Sequence, residues 1–291
     1  MSPRAGRRLP TGERLFIGDG GLETTLIFRE GLDLPEFASY VLLRDPAGVE
    51  ALRRYYGDYL EIARRRGIGF TFDTPTWRAN ADWGEKLGDS AEALADVNRK
   101  AVALAEEIRA AEESMETPIA ICGTIGPRGD AYQPEELMSA EEAERYHGAQ
   151  ISTFAGTAAD LVGAYTLAYA EEAIGIVRAA VANEMPVMIS FTLETDGKLP
   201  SGQPLDEAIE LVDAETDGAV AYFMINCAHP SQQEPRRARR SDRAGPRRPG
   251  RARRRIPGAE GPAPERPRAG RLLWQRPAPR RQHLRRLAGL S

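Results

Sequence analysis

Three short stretches of this chain carry residue types suited to chemistry. Asp19-Gly20-Gly21 puts a carboxylate in a turn, and Thr74-Pro75-Thr76 puts two hydroxyls directly after Asp73. Ile225-Asn226-Cys227-Ala228-His229-Pro230 ends an apolar run on an amide, a thiol and an imidazole, which are donor types of a metal site. Each also has a plain structural meaning. Asp-Gly-Gly is a common turn. A single cysteine at a strand end is often a small buried hydrophobe. His229 suits a loop or a helix cap as well as a ligand. Cys122, inside an apolar run, reads as core, and His147, in a polar helix, as a surface residue. Gly123-Thr124-Ile125-Gly126-Pro127 reads as a tight turn whose glycines also allow a ligand to approach the backbone.

The elements that must position these residues alternate regularly. Apolar runs predict strands at 15–17, 68–72, 119–122, 161–165, 187–191 and 220–225. Helices fall between them. One covers 46–66, with Pro46 at its start and Arg64-Arg65-Arg66 before Gly67 at its end. Others cover 90–113 behind Ser90, 139–158 behind Ser139, 169–183 and 205–214. Strand, loop and helix recur about six times, which implies parallel strands joined by right-handed crossovers. Every distinctive loop follows a strand, where a parallel barrel places its active site. The expected fold is therefore α/β, a (β/α)8 barrel cut short after about six units, over residues 12–230. A doubly wound open sheet is the structural alternative, but no Gly-x-Gly-x-x-Gly opens a helix after the first strand.

Composition changes abruptly at residue 231. The last 61 residues hold 19 Arg and nine Pro against four acids, a net charge of +15. The whole chain is at −4, so the first 230 residues carry −19. An acidic main domain argues against specific nucleic-acid binding. The tail, 231–291, is expected to be disordered, with too few apolar residues to offset the entropy of ordering. Its prolines argue against replacement strands, so the barrel's outer strands are expected to keep open edges. No apolar run reaches the roughly 18 residues of a membrane span. The N-terminus lacks the apolar core of a secretory signal, and two cysteines make no disulfide framework. A cytoplasmic setting is expected.

In order and in position after successive strands, Asp19-Gly20-Gly21-Leu22-Glu23-Thr24, Thr74-Pro75-Thr76, Gly123 to Pro127 and Ile225-Asn226-Cys227 resemble the zinc-dependent homocysteine S-methyltransferase family. The resemblance spans about residues 12–230. It implies methyl transfer from a sulfonium or ammonium donor to the thiolate of homocysteine, giving methionine. It also implies Zn2+ held by three cysteine thiolates, with the fourth position left to the substrate sulfur. Cys227 matches the first of those cysteines. Asp19, Gly20, Thr74 and Asn226 match substrate-contacting loops. The partners implied are a small-molecule thiol and a methyl donor. One departure is specific: where many members carry Glu-Thr after the fourth strand, to hold the substrate ammonium, this chain has Tyr165-Thr166. An acceptor other than homocysteine therefore stays open.

The resemblance also implies a Gly-Gly-Cys-Cys-Gly stretch carrying the other two ligands, and this chain has none. Gly270-Arg271-Leu272-Leu273-Trp274-Gln275 is what GGG-CGG-CTG-CTG-TGG-CAG encodes; read one nucleotide later, that DNA gives Gly-Gly-Cys-Cys-Gly. Two origins follow for the tail: a frameshifted end of the family sequence, or a genuine basic extension. The first leaves an inactive remnant with a cationic tail and an incomplete metal site. Sequencing the coding DNA decides between them. The frameshift account expects G in the third place of the codons for residues 270–273, and a codon for Leu272 or Leu273 ending in any other base removes it.

Overall fold

Apolar runs too dense for one-sided burial become parallel strands covered on both faces. The computed structural model describes residues 14–132, 137–228 and the backbone of 272–274. Its strands are β1 (Phe16–Gly18), β2 (Gly69–Asp73), β3 (Ile119–Ile125), β4 (Leu161–Leu167), β5 (Val187–Phe191), β6 (Tyr222–Ile225) and β7 (Leu272–Trp274). Every residue of β2 to β5 is buried. Strands β1 to β6 pair in sequence order, each parallel to the next. They form a curled half-barrel with helices between the strands, as in a truncated (β/α)8 barrel.

The helices start where the sequence supplies caps. Asp45 accepts from the Gly48 amide ahead of α2 (Pro46–Arg66), and Gly67 closes that helix in the left-handed region at φ 61. Ser90 caps α4 (Ala91–Glu112), and Ser139 with Glu142 forms a capping box on α5 (Ala140–Ala155). Helices α6 (Ala170–Ala182) and α7 (Leu205–Glu215) complete the expected set. Four shorter elements carry no legible periodicity: α1 (Leu22–Phe28), α3 (Ala81–Lys86) and the 3₁₀ segments Pro35–Phe37 and Ser39–Arg44. No helix among the described residues is long and apolar enough to cross a membrane.

Alternation along the strands separates two cores. Phe70, Phe72, Ile119, Ile121, Val162 and Ile189 point outward into the large cluster beneath the helices. Ala120, Cys122, Leu161, Tyr165, Met188 and Met224 point inward and fill the concave side. Cys122 is core, as its setting suggests. Gly163 belongs to the inward series, and a Cβ there would lie 2.6 Å from both Cys122 Sγ and Met188 Cε. Only glycine lets three strands close over that point.

The expectation of open outer edges changes on one side. The β6 edge is not open: β7 pairs with it antiparallel, with Ile225 opposite Leu272 and Phe223 opposite Trp274. Residues 272–274 form a Pro-free interval in the Pro-rich tail, so the ladder keeps its donors there. Among the described residues β1 pairs only with β2, so the barrel is not closed. The expected disorder of the rest of the tail, and the roles considered for His229, lie outside the described residues. Filling the lumen tests the packing: Gly163→Ala should lower stability by about 1–3 kcal/mol, read as a reduced urea midpoint at unchanged m-value.

Candidate active site

The C-terminal ends of the parallel strands surround one cavity of about 500 Å³. Asp19, immediately after β1, is buried, and its Oδ2 accepts from the Tyr55 hydroxyl of α2 at 2.9 Å. Burial, then the Asp19 charge, drive the Tyr55 phenol far above its ordinary pKa, so it stays a donor. Gly20 does not line the cavity; its carbonyl accepts from Tyr59 at 2.8 Å.

Thr74, just past β2, anchors the next loop to β3. Its amide donates to the Cys122 carbonyl at 3.0 Å. Its hydroxyl accepts from the Thr124 amide at 2.9 Å and meets Thr76 Oγ1 at 2.7 Å. The Thr76 hydroxyl donates to the Thr124 carbonyl at 2.8 Å, so Thr74 must donate to Thr76. Asp73, the last residue of β2, points inward, and its Oδ1 accepts from the Tyr165 hydroxyl at 2.7 Å. The structure thus brings a carboxylate to that neighbourhood from β2.

Asn226 and Cys227 follow β6. The Asn226 amide is held on every side. Its Oδ1 accepts from the Thr166 amide at 2.9 Å and from the Ser190 hydroxyl at 2.7 Å. Its Nδ2 donates to Thr166 Oγ1 at 2.8 Å and to Cys227 Sγ at 3.4 Å. This grip needs two unusual backbones. Thr166 sits at φ 64, where the β4–β5 register shifts between Ala164 and Leu167, and Cys227 sits at φ 51. Cys227 is exposed to the cavity, and the hydroxyl of Tyr132 faces its sulfur. Burial of that hydroxyl, then the cysteine, raises the Tyr132 pKa.

Asp19, Thr74, Asn226 and Cys227 therefore meet at one cavity, from three different strands. Sequence reasoning did not single out Asp73, Trp77, Arg78, Trp83, Thr124 or Tyr132, which also line it. Trp77-Arg78, next to the threonine motif, was the available signal. Among the described residues, the carboxylates of Asp19, Glu23, Glu36, Asp73 and Asp130 share the lining with one guanidinium, Arg78. Gly123 to Pro127 is not a tight turn, although Thr124 within it lines the cavity. Residues 123–125 continue β3; a Cβ on Gly123 would strike the Phe154 ring, and one on Gly126 would lie 2.2 Å from the Trp77 carbonyl. His147 is not on the surface: it is buried, 3.0 Å from Glu172, which also accepts from the Arg128 amide.

The described residues do not fit a zinc ion. Cys227 is the single thiol at the cavity among the described residues, and Cys122 is packed in the inner core. Among the described residues no cluster of three or more His, Cys, Asp or Glu is arranged to hold a metal.

The family model for homocysteine S-methyltransferase matches residues 16–244, and the chain belongs to that family. Solved structures of the homocysteine methyltransferase MmuM from Escherichia coli share the fold. Its oxidized form is 22% identical with a TM-score of 0.63, covering 76% of this chain and 76% of its own. Its metallated form is 22% identical with a TM-score of 0.62, covering 76% and 77%. No curated protein matches by sequence.

Removing the central amide tests the site's scaffold. Asn226→Ala leaves the Thr166 amide and the Ser190 hydroxyl without their acceptor, and should cost about 1–3 kcal/mol of stability, measured by urea unfolding. An unchanged midpoint would show that the network does not hold the β4 bulge in place.

Proposed function

We propose that the cavity binds homocysteine and a sulfonium or ammonium methyl donor, and that the chain derives from an enzyme transferring that methyl group to give methionine. The new bond joins the acceptor sulfur to the methyl carbon. The bond from the methyl to the donor heteroatom breaks, its electron pair staying with the donor, which becomes neutral. The acceptor thiol gives up its proton to solvent. The carrying observation is the lining: five carboxylates to one guanidinium, around the exposed Cys227, suit an ammonium group and a cationic donor. In this reading Asp19 and Asp73 face the substrate ammonium. Tyr165 orients Asp73 and so takes over indirectly from the family's glutamate. Thr74 and Asn226 hold the loops that carry the contacts, and Gly20 shapes the first of them. The compartment is the cytoplasm.

Zinc enters no step here, because the described residues supply one thiolate. Two further readings keep specific support. The incomplete ligand set favours an inactive remnant, with residues 12–230 as its domain and the basic tail as an appendage. Tyr165 favours a related small thiol or amino acid as acceptor.

The deciding experiment combines metal analysis with methyl transfer from S-methylmethionine or S-adenosylmethionine to homocysteine. It uses the chain as written and a frame-restored chain carrying Gly-Gly-Cys-Cys-Gly. The chain as written should hold zinc weakly and turn over little. The restored chain should bind zinc tightly and methylate homocysteine, and Cys227→Ser in it should abolish both. Stoichiometric zinc and turnover in the chain as written would overturn the account of the missing ligands. A restored chain that binds zinc but ignores homocysteine would point to another acceptor.

A further inference from the structure

We propose that Arg78, set against the indole rings of Trp77 and Trp83, is the anchor for the carboxylate of the amino-acid ligand. The proposal rests on the cavity being an amino-acid site.

Arg78 lies in the loop between β2 and α3 and lines the cavity, yet it is only 9% exposed. Arginine is rarely buried to this degree without a paired anion. Its guanidinium carbon lies 4.1 Å from the Trp77 ring centroid and 3.5 Å from that of Trp83. Such contacts hold the planar group in place but leave its in-plane N–H groups unsatisfied. Among the described residues it donates one long hydrogen bond, from Nη1 to the Gly129 carbonyl at 3.4 Å. Its Nε is buried without a partner, and it forms no ion pair within 4.0 Å among the described residues. Asp130, Glu23 and Glu36 act on it through space.

Two neighbours in the lining share the same condition. Trp83 Nε1 and Thr124 Oγ1 are buried with no hydrogen-bond partner. A buried donor left unsatisfied is costly, and three around one cavity call for an acceptor from the ligand. A carboxylate fits best, because its two oxygens match the guanidinium fork in charge and geometry. The rest of the lining then suits the other end of the same molecule: Asp19 and Asp73 offer negative charge to an α-ammonium. The lining then offers both charges that a zwitterion needs, with Arg78, its one cation among the described residues, marking the carboxylate end.

Burial lowers the Arg78 pKa to about 10, so the side chain remains charged at neutral pH. A purely structural Arg78, bracing the Gly129 loop between two indoles, would be indifferent to the ligand's carboxylate. That difference is measurable with the full chain, and Trp77 and Trp83 supply a fluorescence reporter beside the proposed contact.

The experiment titrates the chain with L-methionine, L-methioninol and L-norleucine while following tryptophan emission. Methioninol keeps the amine and thioether but lacks the carboxylate, so it should bind roughly 10- to 100-fold more weakly than methionine. Arg78→Met should bring methionine down to the affinity of methioninol and leave methioninol little changed. Arg78→Lys, which keeps charge but loses the fork, should recover only part of the difference. The comparison of methionine with methioninol on the unaltered chain needs no variant to fold, and circular dichroism checks the variants. Equal binding of the two ligands by the unaltered chain would overturn the proposal, as would an Arg78→Met protein that keeps the full ratio. Norleucine binding as tightly as methionine, with the carboxylate preference intact, would uphold the anchor and count against a sulfur-specific site. If none of the three binds, the amino-acid site and its anchor fall together.

Discussion

Burial of β2 to β5 on both faces is the constraint from which the rest follows. Charge placed mid-strand in that setting would be stripped of water on both sides. The polar side chains of the strands therefore collect at their C-terminal ends, on the inward face. Asp73 ends β2, Thr124 stands near the end of β3, and Ser190 near the end of β5. Asp19, Thr74, Asn226 and Cys227 lie just beyond the strands. Parallel pairing in sequence order carries all these ends to one rim, so the cavity is a consequence of the topology.

The bulge in β4 is what this arrangement requires locally. A straight β4 would continue its ladder with β5 past Ala164. Instead Thr166 turns into the left-handed region and presents both its amide and its hydroxyl to Asn226. The strain of a β-branched residue at positive φ is offset by those two hydrogen bonds and by the Ser190 contact. The same amide then reaches Cys227. Three strands are thereby tied through one side chain, and the thiol's position depends on all of them.

Much of this was legible from residue types. Apolar runs gave the strands because both faces are buried, and the run 187–191 coincides with β5. Pro46 and the caps Ser90 and Ser139 gave the helix starts. Legibility failed where the cause is distant in sequence. Gly123 looked like a turn because its use, making room for Phe154 of α5, is invisible locally. His147 looked exposed because its partner Glu172 lies on the next helix. Arg78 attracted no notice because its character comes from burial against Trp83 and from loops far along the chain. Asp73 was visible as a residue but not as a neighbour of Tyr165, which is 92 residues away.

The parts of the cavity divide by strand. Asp19 comes from β1, Asp73, Thr74 and Arg78 from β2 and the loop after it, Thr124 from β3 and Tyr165 from β4. Each of these is fixed by contacts within the first six units: Tyr55 to Asp19, Tyr165 to Asp73, and the Thr74–Thr76–Thr124 hydrogen bonds. Cys227 stands at the end of β6, the last of the parallel strands. In the family's barrel the strands beyond β6 would stand beside it and beside β1. Here β7 meets β6 antiparallel, and β1 keeps one neighbour among the described residues. The contacts that hold Asp19, Asp73 and Thr124 at the cavity are thus built by β1 to β4 and α2, apart from the strands beyond β6. A change in the chain beyond β6 does not by itself dismantle those contacts.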